Sequence, residues 1–194
     1  MTKKKKTSDK NLIEKDYTFS FTFSDSSTYN TQFYLINYLP KINKKFIKII
    51  TTNLCQLIND NFSNKIHNKN SYIKIFYNKY IPEIKLSEFV SKIIELTKCE
   101  FNTIIYSLIL IDKLYFKGII INEFNIYKLL YISIIISIKM NQDIIYNNKY
   151  YAKILGVEPK ELLILETNFL ILLNFDIYIS NDSFQYYLDS LELY

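Results

Sequence analysis

Residues 125–140 read NIYKLLYISIIISIKM, a run whose apolar positions cover every face of a helix. A helix that is apolar all round has to be surrounded, by lipid or by other helices. Lys128 and Lys139 bracket only ten residues of the run, whereas a bilayer-spanning helix takes about twenty. The run therefore predicts the buried middle of a soluble helical bundle rather than a membrane span. Lys139, at its end, breaks the apolar series and needs a reason to be there.

The rest of the chain supplies helices to wrap around that run. With two Gly and three Pro in 194 residues, tight turns are few and a many-stranded sandwich is disfavoured. Ile42, Phe46, Ile49, Ile50, Leu54, Leu57 and Ile58 recur at three-to-four spacing and predict a helix over about 42–59. A polar link carrying His67 follows. Pro82 marks a helix start, and Leu86, Phe89, Val90, Ile93 and Ile94 share one face. The next helix runs over about 100–113, turns Ile104, Ile105, Leu108 and Ile111 inward and leaves Leu114 just past its end. Gly118 breaks the connector, and Asn122 or Asn125 caps the long apolar helix. A short helix over about 147–155 closes at Gly156. Pro159 then opens a helix to about residue 173. Residues 183–191 predict a short terminal helix. The expectation is an all-α bundle whose third helix in a series of five is buried.

Residues 1–40 are polar and read as a flexible, basic arm, although YTFSFTFS at 17–24 alternates like a strand. The arm holds most of the net charge: five Lys and one Asp among residues 1–10 give +4 of the chain's +5. The run from Lys3 to Lys6 reads as a solvated terminus, or alternatively as a nuclear-import or anionic-surface signal. A near-neutral body without a single Arg lacks the footprint of a nucleic-acid reader and the bidentate guanine contact. Tyr150 and Tyr151 beside Lys149 could stack on a single strand but read better as packed. No apolar leader follows the basic start. Cys55 and Cys99 read as reduced, half-buried thiols of a nuclear or cytoplasmic protein.

No catalytic constellation is visible. His67 reads as a solvated loop residue, the two Gly are too isolated to cradle phosphate, and Cys/His metal spacing is lacking. The acids fall at helix starts or on exposed faces. Hence no enzyme activity, cofactor, metal or small-molecule ligand is expected. Two charges stand out instead. Lys139 suits the C-terminal end of its helix, where a cation can satisfy terminal carbonyls. Glu166 lies between Leu165 and Phe169, one residue off the apolar stripe, and reads locally as a boundary carboxylate.

Four ordered patterns then carry a resemblance. IPEIKLSEFVSKI at 81–93 has Pro82, Glu88-Phe89 and Lys92-Ile93; YSLILIDKL at 106–114 has Asp112-Lys113; SIKMNQDIIYNNKYYAKILGV leads out of the apolar helix; and ELLILETNFLILLNFDIYIS closes the series. In this order and spacing they resemble the cyclin box, nearest the short single-box cyclins of the P/U type. The family usually has Arg at the positions of Lys92 and Lys113 and an aromatic at that of Met140. The likeness covers about 81–179, and more loosely back to Pro40.

The resemblance implies a cyclin domain over 41–194, with a preceding helix, a five-helix box over about 86–177 and a terminal helix. It implies a non-catalytic subunit that binds and activates a cyclin-dependent-kinase-like Ser/Thr kinase. Lys139 and Glu166 match the pair that meets the start of the kinase's regulatory helix. Met140, Leu170, Phe175 and Ile177 match the apolar contact positions, although Leu170 by itself also reads as ordinary core. The family's Trp-dependent docking groove has no counterpart, since the chain has no Trp. A scaffold acting in transcription without a kinase is the alternative.

Overall fold

Eight helical segments build the structure, a computed structural model that describes residues 42–62 and 70–191. These residues belong to one compact unit, Leu39–Tyr194. The expectations for the basic arm, its strand-like stretch and His67 fall outside the described residues.

Helix α1, Lys44–Phe62, begins where the Asn43 side chain accepts the Phe46 N–H at 2.9 Å. Phe46, Ile50, Leu54 and Ile58 recur every four residues and bury one stripe of it. A 3-10 turn follows at Ser71–Phe76, capped by Asn70, where no element was expected. It buries Ile73 and Phe76 completely, and the Phe76 ring meets Phe169 edge-on at 6.3 Å. The turn thus plugs one side of the bundle.

The series of five matches expectation in order and place. Helix α2 is Leu86–Thr97, α3 Phe101–Phe116, α4 Ile126–Asn141, α5 Asn148–Leu155 and α6 Pro159–Leu172. Helix α4 is buried without a break from Leu129 to Ile138 and packs against α2, α3, α5, α6 and the 3-10 turn. Its ten-residue apolar core is wrapped by protein, and no described helix is long and apolar enough to cross a membrane. Helix α7, Asn181–Ser190, starts at Ser180, whose hydroxyl accepts the Ser183 N–H, and stacks Phe184 on Tyr106 of α3 at 4.9 Å. No strand occurs among the described residues.

Four local expectations need correction. Leu114 lies inside α3 and is wholly buried, because the helix runs on to Phe116 before Gly118, at φ +79°, turns the chain. Asn125 occupies the position before α4 but does not cap it with its side chain. Its amide instead accepts the Asn122 N–H and donates to the Ile120 carbonyl, tying down the connector, while Asn122 accepts the Phe124 N–H. The cysteines are not alike: Cys55 is exposed, whereas Cys99 is buried and desolvation pushes its thiol up to about 11. The acids are not all at helix starts or exposed, since Glu166 is buried and desolvation raises Asp112.

Candidate partner-binding site

The end of the buried helix is where the two misfit charges meet. Lys139 sits in the last turn of α4, but its ammonium does not turn back onto the terminal carbonyls. It donates to Glu166 Oε1 of α6, and to Asn148 Oδ1 at the start of α5 at 2.8 Å. Asn148 also donates to Glu166 Oε2, at 3.4 Å. Three helices are thereby joined through a Lys, a Glu and an amide. Glu166 is not a boundary carboxylate: only 7% of it is exposed, beside the fully buried Leu165 and Phe169.

Tyrosines fix the helix that carries Asn148. The Asn147 side chain caps α5 by accepting the Tyr150 N–H, and Gly156, in the left-handed region, ends it. Tyr131, buried in α4, donates its hydroxyl to the Tyr151 carbonyl at 2.6 Å. Burial and the neighbouring Tyr151, Tyr150 and Glu166 push that phenol well above its usual range. Tyr151 is itself fully buried, with its hydroxyl accepting the Tyr146 N–H, and Tyr150 donates to the Leu96 carbonyl at 2.7 Å. Both rings are packed, as their place in the sequence suggested.

The four apolar positions around the pair divide into two kinds. Met140 and Phe175 are 43% and 63% exposed, whereas Leu170 and Ile177 are half-buried against the core. Leu170 lies one turn beyond Glu166 on α6. Its carbonyl accepts the Phe175 N–H at 2.8 Å, and the Phe175 carbonyl accepts the Ile177 N–H. Five of the six are thus linked, from Lys139 through Glu166 and along α6 to Leu170, Phe175 and Ile177, and Met140 follows Lys139 in sequence.

Three residues of this region were not legible beforehand. Asn148, which bridges the pair, read only as part of a helix start. Leu163, exposed and one turn before Glu166, continues the apolar surface along α6. Lys113 at the end of α3 donates to Asp176 Oδ1 at 2.9 Å and to the Tyr178 carbonyl at 2.8 Å, and so tethers the segment that bears Phe175. Its partners lie more than sixty residues away in sequence, so no local pattern could announce them.

The described residues thus form an all-helical bundle with a wholly buried third helix and a partly accessible Lys–Glu pair at that helix's end. The model of the cyclin family, described as "Cyclin", matches residues 35–177, most of the chain, and the chain belongs to the cyclin family. Cyclin-U4-1 of Arabidopsis thaliana is 25% identical over 156 residues, covering 79% of this chain and 77% of the relative. Cyclin-U4-3 of the same plant is 32% identical over 108 residues, 55% of this chain and 49% of the relative. The PHO85 cyclin-like protein psl1 of Schizosaccharomyces pombe is 29% identical over 120 residues, 60% of this chain and 49% of that protein. The chain thus spans about half the length of two of these three. These similarities bear out the likeness to P/U-type cyclins.

Proposed function

We propose that this cyclin is a non-catalytic regulatory subunit that binds and activates a cyclin-dependent-kinase-like Ser/Thr kinase through the surface around Lys139 and Glu166. The observation that carries the reading is the buried Glu166 carboxylate held against Lys139, with the exposed Met140 next to Lys139 in sequence and the exposed Leu163 one turn before Glu166. An ammonium has three donors and a carboxylate about four acceptor sites. Within the chain Lys139 uses two of its donors and Glu166 accepts two bonds. The remaining capacity suits backbone groups at the end of a partner helix, and Met140, Leu163 and Phe175 would exclude water around them. Holding the kinase's regulatory helix inward completes the Lys–Glu pair that phosphoryl transfer requires. ATP and magnesium belong to the kinase. The name of the fission-yeast relative, a PHO85 cyclin-like protein, supports a role in kinase regulation.

The test is co-purification of the full chain from native extract, followed by reconstitution with the recovered kinase. Wild type is expected to bring down one Ser/Thr kinase and raise its activity. Lys139→Glu is expected to lose it, since a desolvated interfacial charge is worth about 2–5 kcal/mol. Recovery of no kinase, with salt-sensitive DNA binding by the chain lacking residues 1–10, would favour the transcription scaffold instead.

A further inference from the structure

The chain leaves α6 through two successive residues in the left-handed region, Asn174 at φ +55° and Phe175 at φ +59°. Asn adopts that conformation readily, whereas a bulky aromatic is strained in it and stays there only when its surroundings over-determine it. Burial of the ring does not explain the geometry, because Phe175 is among the most exposed apolar side chains described. The near side of the turn is held by the helix end: Asn174 N–H donates to the Ile171 carbonyl at 2.9 Å and Phe175 N–H to the Leu170 carbonyl.

The far side is held by Lys113. Its ammonium lies 2.9 Å from Asp176 Oδ1, 3.3 Å from the Asp176 carbonyl and 2.8 Å from the Tyr178 carbonyl. Three donors thus meet three acceptors, all on the two residues that flank Ile177. Lys113 comes from α3, which contributes none of the six candidate contact residues. We propose that Lys113 is a positioning residue: it fixes the turn so that Phe175 stands ready for the partner, and this rests on the kinase-binding reading above. The Lys113 hydrogen bond, with the charges of Lys113 and Lys117, also holds the Asp176 carboxyl below its usual range.

The first test needs no partner. Chymotrypsin is added to the purified full chain and to Lys113→Gln, with cleavage after Phe175 and Tyr178 followed by mass spectrometry. Cleavage there is expected to rise roughly fivefold or more, because proteolysis follows the population of the opened segment. Cleavage after the exposed Tyr80 should not change. Lys113→Arg, which keeps several donors, is expected to restore the wild-type pattern. If Lys113→Gln does not fold, Asp176→Asn probes the same tether from the other side. The second test uses the recombinant kinase recovered by co-purification. Lys113→Gln is expected to weaken it about as much as Phe175→Ala does, and to add nothing in the Phe175→Ala background. Unchanged cleavage at 175 and 178, an unchanged Kd, or an undiminished Lys113→Gln effect in that background would overturn the proposal. Should wild type recover no kinase, the function reading fails while the cleavage result still decides whether Lys113 holds the turn.

Discussion

Lys139 and Glu166 form an ion pair in which the acid is the buried partner: 9% of the Glu166 side chain is accessible, against 29% of the Lys139 side chain. The lysine reaches the pair from the last turn of α4, while the carboxylate is set among the core residues of α6. A pair of this kind keeps a charge at the surface that its own fold has already oriented. If the pair meets a partner as proposed, binding needs little rearrangement of either side chain, which lowers the ordering cost of association.

The unequal burial predicts unequal costs of removing each partner. In Lys139→Ala the buried carboxylate keeps only the longer bond from Asn148, and the free chain should lose about 1–3 kcal/mol of stability. In Glu166→Ala the lysine retains Asn148 and can turn to water, so the loss should stay below about 1 kcal/mol. Adding Glu166→Ala to Lys139→Ala should recover most of the loss. Urea denaturation of the three variants measures this, and equal losses for the two single changes would contradict it.

Met140 and Phe175 should separate binding from folding. Both are exposed, so Met140→Ala and Phe175→Ala should leave the urea midpoint within the range of surface substitutions, about 0.5 kcal/mol. Kinase affinity should nevertheless fall at least about tenfold for Phe175→Ala if the ring anchors the interface. Phe169→Ala, six residues earlier and wholly buried, is the opposite control and should cost about 3–5 kcal/mol of stability. A Phe175→Ala chain that binds its kinase like wild type would remove Phe175 from the proposed surface.

Periodicity and punctuation made most of the fold readable. The all-round apolar run of α4 could only be a central helix, and Gly118, Gly156 and Pro159 mark turns and starts that follow from their backbone constraints. The 3-10 turn at Ser71–Phe76 escaped notice because six residues with two buried side chains show no helical period. At the site, Lys139 and Glu166 were visible as charges in apolar helices, but their contact was not, since pairing across 27 positions leaves no local trace. The long-range partners of Lys113 and the bridging amide of Asn148 were hidden for the same reason. Asn125 misled because an Asn before a helix usually caps it, whereas this one serves the preceding connector.

Asp112 sets a pH dependence that the proposed partner surface does not involve. It lies in α3 beside Tyr187 of α7, at the edge of a cavity of ≈ 270 Å³ that α1 also lines. Desolvation raises its carboxyl from 3.8 to about 6, only partly opposed by the hydrogen bond from Tyr187, whose phenol is itself pushed well up by burial and by Asp112. The folded chain therefore holds the proton more tightly than the unfolded chain does. Stability should rise as pH falls from about 6 towards 3.8 and should be lost as pH rises through that window. The full swing is about 3 kcal/mol. Asp112→Asn stays neutral at every pH and still offers Tyr187 an acceptor. The variant should match wild type near pH 4, and exceed it by up to about 3 kcal/mol near pH 7.5. Urea midpoints of the two chains at both pH values measure the gap. A gap that does not widen with pH would mean that Asp112 is ionised in the fold at no cost.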